Sequence, residues 1–184
     1  IEGECVMLAY KGFHPGLVCL GYQFTFGLNV TDKANCRANG FHCAANPLDC
    51  LSYYSSMEQS EYYLVDAGGD LDEDGEDSKI ACTHLTIRQK LTRKDFFLHA
   101  LVYMVDHPEL EWNHHVKREV GEASSGFAVV RGIDPVACGK TGDILALAQE
   151  SPHTGRIIRI GLTEVDGSRI RPDRWYNVDL KEKR

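Results

Sequence analysis

Between Glu58 and Ser78 the chain carries nine carboxylates and no Lys or Arg: Glu58, Glu61, Asp66, Asp70, Asp72, Glu73, Asp74, Glu76 and Asp77. A core does not take in such a run, because an unpaired charge is costly to remove from water. The segment must therefore face solvent. Tyr62 to Ala67 and Ile80 to Ile87 flank its densest part. Both are rich in aromatic and β-branched residues and read as strands. The sequence thus predicts a hairpin with a long acidic tip. Removing these nine acids from the net charge of −7 leaves the rest of the chain at about +2. A patch of this sign repels free nucleic acid and attracts basic protein surface.

The remaining composition is that of an ordinary globular chain. At 184 residues, 43% hydrophobic and 26% charged, it suits one domain with a core that needs no metal or disulfide. The longest apolar runs, Cys5 to Tyr10 and Ala100 to Val105, are too short to span a bilayer. No charged-then-apolar leader opens the sequence, so the expected location is cytoplasmic. Cys5, Cys19, Cys36, Cys43, Cys50, Cys82 and Cys138 lie mostly among apolar neighbours and read as buried, reduced thiols. Cys36, Cys43 and Cys50 recur every seven residues beside His42. Zinc sites begin with pairs two to four residues apart, and this spacing supplies none, so no zinc is expected.

Along the chain, Cys5 to Tyr10 reads as a strand stopped by Lys11-Gly12, and Tyr22 to Phe26 as a second. Asn46, Pro47 and Asp49 make a helix start, with the helix running to about Tyr54. Thr92 and Asp95 open a second helix that buries Phe97, Leu101, Met104 and Val105 and stops at Pro108. Short strands succeed it over Phe127 to Arg131, Ile144 to Ala148, Ile157 to Leu162 and Trp175 to Val178, with Asp166-Gly167 as a turn. The expected fold class is α+β: a mostly antiparallel sheet, two principal helices and a β-rich C-terminal part. Residues 1–108 form the core with the acidic hairpin, 109–125 a polar connector, and 126–180 the β-rich part packed on that core, as one domain.

Motifs name no reaction. Gly139-Lys140-Thr141 ends like a phosphate loop, but Asp134 stands where the leading glycine belongs, so a turn is expected. Asp70, Asp72 and Asp74 followed by Gly75 open like a calcium loop, but its twelfth position is Ala81 and strands flank it. Calcium at Asp70, Asp72 and Asp74 is the one metal this pattern suggests. Glu150 is a lone carboxylate, with no Ser-His-Asp order and no H-E-x-x-H beside it.

Ala9-Tyr10-Lys11-Gly12-Phe13, then Gly40-Phe41-His42-Cys43 with Asn46-Pro47-Leu48-Asp49, then Ser78-Lys79-Ile80-Ala81, form a recognisable set. Asp166-Gly167, Ile170, Pro172-Asp173 and Trp175-Tyr176 complete it. The chain resembles an uncharacterised family found in phages and prophages of gut bacteria. That resemblance implies a phage protein in the bacterial cytoplasm, engaged in counter-defence. The function expected from it is inhibition, without catalysis, of a host enzyme that handles nucleic acid, in the manner of an anti-CRISPR protein on an RNA-guided nuclease. Asp66, Asp70, Asp72, Glu73, Asp74, Glu76 and Asp77 would contact the basic surface of that partner, and no cofactor is needed. The Tyr-Lys-Gly-Phe strand and the G-F-H strand before a Tyr-rich helix also resemble ADP-ribosyltransferase-like domains. That alternative implies NAD as cofactor, with Lys11 or His14, Tyr53 or Tyr54, and Glu150 as site residues. The Ser-Thr-Ser pattern of such domains is missing.

Overall fold

The computed structural model describes residues 5–35 and 38–184. The chain forms two compact units, Ile1–Thr92 and Arg93–Arg184. Among the described residues no helix is long and apolar enough to cross a membrane.

The first unit holds β1 (Met7–Phe13), β2 (Val18–Cys19), β3 (Tyr22–Gln23), β4 (Gly27–Val30), β5 (Phe41–Ala44), β6 (Glu61–Glu73) and β7 (Lys79–Leu91), with a 3-10 helix at Pro47–Ser52. β7 pairs with β4, β5 and β6, β5 pairs with β1, and β1 pairs with β6, all antiparallel. The pairings β7–β5–β1–β6–β7 therefore close on themselves, which removes most free strand edges. Phe13, Val65, Ala67, Cys82, Leu85 and Ile87 fill the core inside this ring. The ring has one thin seam. β1 meets β6 from Met7↔Ala67 to Phe13↔Glu61, but it meets β5 at a single register pair, Tyr10↔Ala44.

The second unit holds α1 (Arg93–Asp106), β8 (Val116–Glu122), β9 (Phe127–Cys138), β10 (Ile144–Glu150), β11 (Ile157–Glu164), β12 (Trp175–Asn177) and β13 (Glu182–Lys183). α1 packs on β10 and β11 through a face that buries Phe96, Phe97, Ala100, Leu101 and Met104. β9 is central: β8 and β10 lie parallel to it, while β12 lies antiparallel. Val116 pairs with Val129, and Phe127 with Ile144. Successive parallel strands are thus only a short chain interval apart, which is how turns of a coil stack. Glu119 fixes the bend in β9. Its carboxylate accepts hydrogen bonds from the backbone N–H of Ile133 (2.8 Å) and Asp134 (3.1 Å). It fits there because residue 132 is glycine: a Cβ on Gly132 would stand 2.3 Å from the Glu119 carboxyl.

The expectation of an α+β fold with two principal helices is overturned: the protein is mainly β, with antiparallel and mixed sheets. The Asn46 cap is real, since its Oδ1 accepts from the Leu48 N–H at 3.1 Å. The segment it caps is nevertheless only the short 3-10 helix. Tyr53, Tyr54, Ser55 and Ser56 are weak helix formers, and Leu48, Cys50 and Leu51 are drawn into the core. α1 is the one long helix of the described residues, and Val105 is exposed on it rather than buried. The acidic tip is shorter than its composition suggests. β6 continues through Glu73, so the turn proper is only residues 74–78. Within residues 109–125, expected as a connector, lies β8.

Candidate functional site

The thin seam between β1 and β5 opens a cavity of about 610 Å³ in the first unit. That volume is within the usual range for small-molecule sites. One wall is aromatic. Tyr22 and Phe24 lie edge to face at 4.7 Å between ring centroids, and Phe24 lies 4.9 Å from Phe41. Tyr54 forms another side, with its hydroxyl donating to the Cys19 thiol at 2.9 Å and His14 edge-on at 5.2 Å. The Tyr54 carbonyl accepts from the Tyr62 hydroxyl, which pins the end of the 3-10 segment to β6.

The cavity also holds a buried cation. Lys11 is 5% exposed, between Ala9 and Phe13, which point to the same side of β1 and are fully buried. Its Nζ donates to the His42 carbonyl at 2.5 Å, bridging β1 to β5 where the ladder lacks bonds. The same Nζ lies 5.3 Å from the centroids of both Phe13 and Phe24, a cation–π arrangement. Lys79 adds a second positive charge, with its Nζ 5.1 Å over the Tyr53 ring. Asp49 is the one carboxylate among the lining residues, and its Oδ2 accepts from Ser78 N–H (3.0 Å) and Ser78 Oγ (2.6 Å).

Four groups of the lining, Tyr10, Cys43, Cys50 and Tyr54, are raised above their ordinary pKa values. Burial pushes Cys50 up to about 12, although Lys11 acts in the opposite direction. Cys43 is raised by its hydrogen bond with Cys82 and then by burial, and Tyr54 by burial and then by the Cys19 thiol. Cys82 moves the other way, lowered by the bond from Cys43 and by the Lys11 charge, but it is fully buried. A thiol or phenol raised in this way is not activated as a nucleophile.

The residues singled out from sequence fall in three places. Lys11, His14, Tyr53 and Tyr54 all line the cavity. Glu150 belongs to the second unit, where its carboxylate accepts from Arg131 Nε at 2.6 Å. Arg131 also donates to the carbonyls of Pro108 (3.0 Å) and Gly155 (3.2 Å), and its guanidinium lies 4.8 Å from the Trp112 ring. Glu150 is thus committed to a structural ion pair. Of the acidic residues, Asp66 sits low on the hairpin and pairs with Arg88, as Glu61 does with Lys90 at 2.6 Å. Asp70 sits in the bulge of β6, where its N–H donates to Thr83 Oγ1 at 2.9 Å. Asp72 and Glu73 end β6, and Asp74, Glu76 and Asp77 form the turn. Among the described residues no group of three or more His, Cys, Asp or Glu converges as a metal site would, Asp70, Asp72 and Asp74 included. Cys43 and Cys50 are separate buried thiols, and Cys36 lies outside the described residues. Gly139-Lys140-Thr141 forms a turn after β9, where the Asp143 carboxylate accepts from the Lys140 N–H at 2.7 Å.

Sequence reasoning missed the buried role of Lys11, because it ended β1 at Tyr10. The signal was present in the alternation Ala9, Lys11, Phe13: a lysine at the period-2 position between two core residues points inward.

The first unit is a small β domain with an aromatic, lysine-floored cavity. Residues 7–99 match a domain of unknown function (DUF7666), and the chain belongs to that family. The match spans every residue that lines the cavity. No curated protein and no solved structure matches the chain.

Proposed function

We propose that the first unit is a binding module for a small, ring-bearing molecule, and that recognition rather than catalysis is its role. The observation that carries this reading is the cavity of about 610 Å³ walled by Tyr22, Phe24, Phe41 and Tyr54. Aromatic walls with a few fixed polar groups are what small-molecule sites use for affinity and orientation. The raised thiols and phenols support binding over group transfer. The test is a thermal-shift screen of ring-bearing molecules against the wild type and Tyr22→Ala. Tyr22 is 48% exposed, so its truncation removes cavity wall at little structural cost. Ligands that raise the wild-type melting temperature should lose most of that effect in the variant. If no ring-bearing molecule protects the wild type at millimolar concentration, the reading is wrong.

The end of the acidic hairpin supports a second reading, contact with a basic protein surface such as the nucleic-acid channel of a host enzyme. Asp70, Asp72, Glu73, Asp74, Glu76 and Asp77 follow one another at the end of the hairpin away from the Arg88–Asp66 and Lys90–Glu61 pairs. Such a cluster speeds and selects encounters with positive surfaces. Changing Asp70, Asp72, Asp74 and Asp77 together to Asn should abolish capture of a basic partner while the fold survives. Capture that persists rules the hairpin out as the contact.

A further inference from the structure

We infer that the occupant of the cavity is an anion: a planar ring bearing a phosphate or carboxylate group, with that group seated on Lys11. This inference rests on the binding-module reading and adds the ligand's charge.

A buried charge is costly, and Lys11 is one. It is 5% exposed, and its ammonium carries three N–H donors. One is used by the His42 carbonyl, a neutral acceptor. The other contacts of Nζ are the faces of Phe13 and Phe24, which stabilise a cation without neutralising it. No carboxylate of the described residues forms an ion pair with Lys11. A buried ammonium in natural proteins is ordinarily matched by an anion, because unpaired burial is expensive. Here the unmatched cation lies at the wall of an open cavity, where a ligand can supply the match.

The other charges agree. Lys79 carries a second positive charge in the lining. Asp49 is its one carboxylate, held by the Ser78 N–H and hydroxyl, so two lysines stand against one aspartate in the lining. His14 and His42 complete the titratable nitrogen groups around the space. A ligand with an acidic head and a flat body would put the head on the ammonium and the body against Tyr22, Phe24 and Phe41. Lysine grips phosphate and carboxylate alike, as a point charge, so the ring and the head together define the class.

The test is calorimetric titration of the full chain with three probes of one ring size: phenyl phosphate, benzoate and neutral benzyl alcohol. The expected result is that one or both anions bind at least tenfold tighter than benzyl alcohol. Lys11→Met, which keeps the stem and removes the charge, should erase that preference. Phenyl phosphate ahead of benzoate marks a phosphate ligand, and the reverse marks a carboxylate. Should Lys11→Met fail to fold, the wild-type comparison still decides. A salt titration then adds to it, since the anion preference should shrink as ionic strength rises. Equal binding of all three probes overturns the anion inference and leaves the binding module standing. Failure of all three to bind overturns both.

Discussion

Gly12 and Tyr54 occupy nearly the same space: a Cβ on Gly12 would lie 2.7 Å from Tyr54 Cδ2 and 2.9 Å from Tyr54 Cβ. The absent side chain on β1 is what lets the Tyr54 ring close one side of the cavity. Because the clash reaches Tyr54 Cβ, rotation of the ring alone cannot relieve it. Gly12→Ala should therefore expel Tyr54, break its bond to Cys19 and destabilise the protein by about 1–3 kcal/mol. Near-ultraviolet circular dichroism and a denaturant melt would register both effects. An unchanged tyrosine signal would mean that the ring does not close the site in solution.

Glu150 offers a contrasting case, since its partner is the buried Arg131. Glu150→Gln should leave the Arg131 charge without its counter-ion and cost on the order of 3 kcal/mol. The loss should show as a lower unfolding midpoint in urea. A variant that lost activity on some substrate while keeping full stability would instead make Glu150 a functional carboxylate.

Glu61 should make stability pH-dependent. The Lys90 ammonium at 2.6 Å holds the Glu61 carboxyl below its usual range, with help from the Gly16 N–H and the Tyr63 hydroxyl. A carboxyl depressed in the folded state contributes stability that is fully present above its unfolded value, near pH ~4.3, and is lost as the pH falls through the folded value. The melting-temperature gap between wild type and Glu61→Gln should thus be widest near neutral pH and close in acid. The pair is partly exposed, so its contribution should not exceed about 1 kcal/mol and should fall with added salt.

Cys50, buried and pushed up to about 12, should resist iodoacetamide at mild pH in the folded protein, whereas the exposed Cys5 should react. Peptide mass spectrometry before and after denaturation would separate the two. Rapid native labelling of Cys50 would mean that the cavity floor opens to solvent.

The hairpin, the Asn46 cap and the helix after Thr92 were legible because each rests on local chemistry: a solvated charge run, a side-chain acceptor, a 3.6-residue period. The closed ring of strands was not, since β1 meets β6 across 48 to 60 residues and no local pattern encodes that pairing. β4 was hidden for a related reason. Its buried position is Asn29, whose amide donates to the carbonyls of Thr25 (2.9 Å) and Leu85 (3.3 Å), so a polar residue stands where an apolar one signals a strand. In β8, Lys117, Arg118 and Glu119 give the sequence the look of a connector, and the strand exists only because β9 pairs with it. The cavity itself was not legible. Lys11, His14, Tyr53 and Tyr54 were named only through the resemblance to ADP-ribosyltransferase-like domains, and the aromatic wall of Tyr22, Phe24 and Phe41 assembles only in the folded unit.

The parallel stack of β8, β9 and β10 has a consequence for how such a chain can change size. Each strand rests on the one before it through backbone bonds that do not depend on which residues supply them. A whole added turn would present the same hydrogen-bonding face above as it covers below. A tandem duplication of this stretch should therefore be accommodated by the same parallel pairing, provided that β11 still reaches β10 and β12 still reaches β9. Insertions of a full turn there should be tolerated where a single extra residue, which shifts every inward side chain outward, would not.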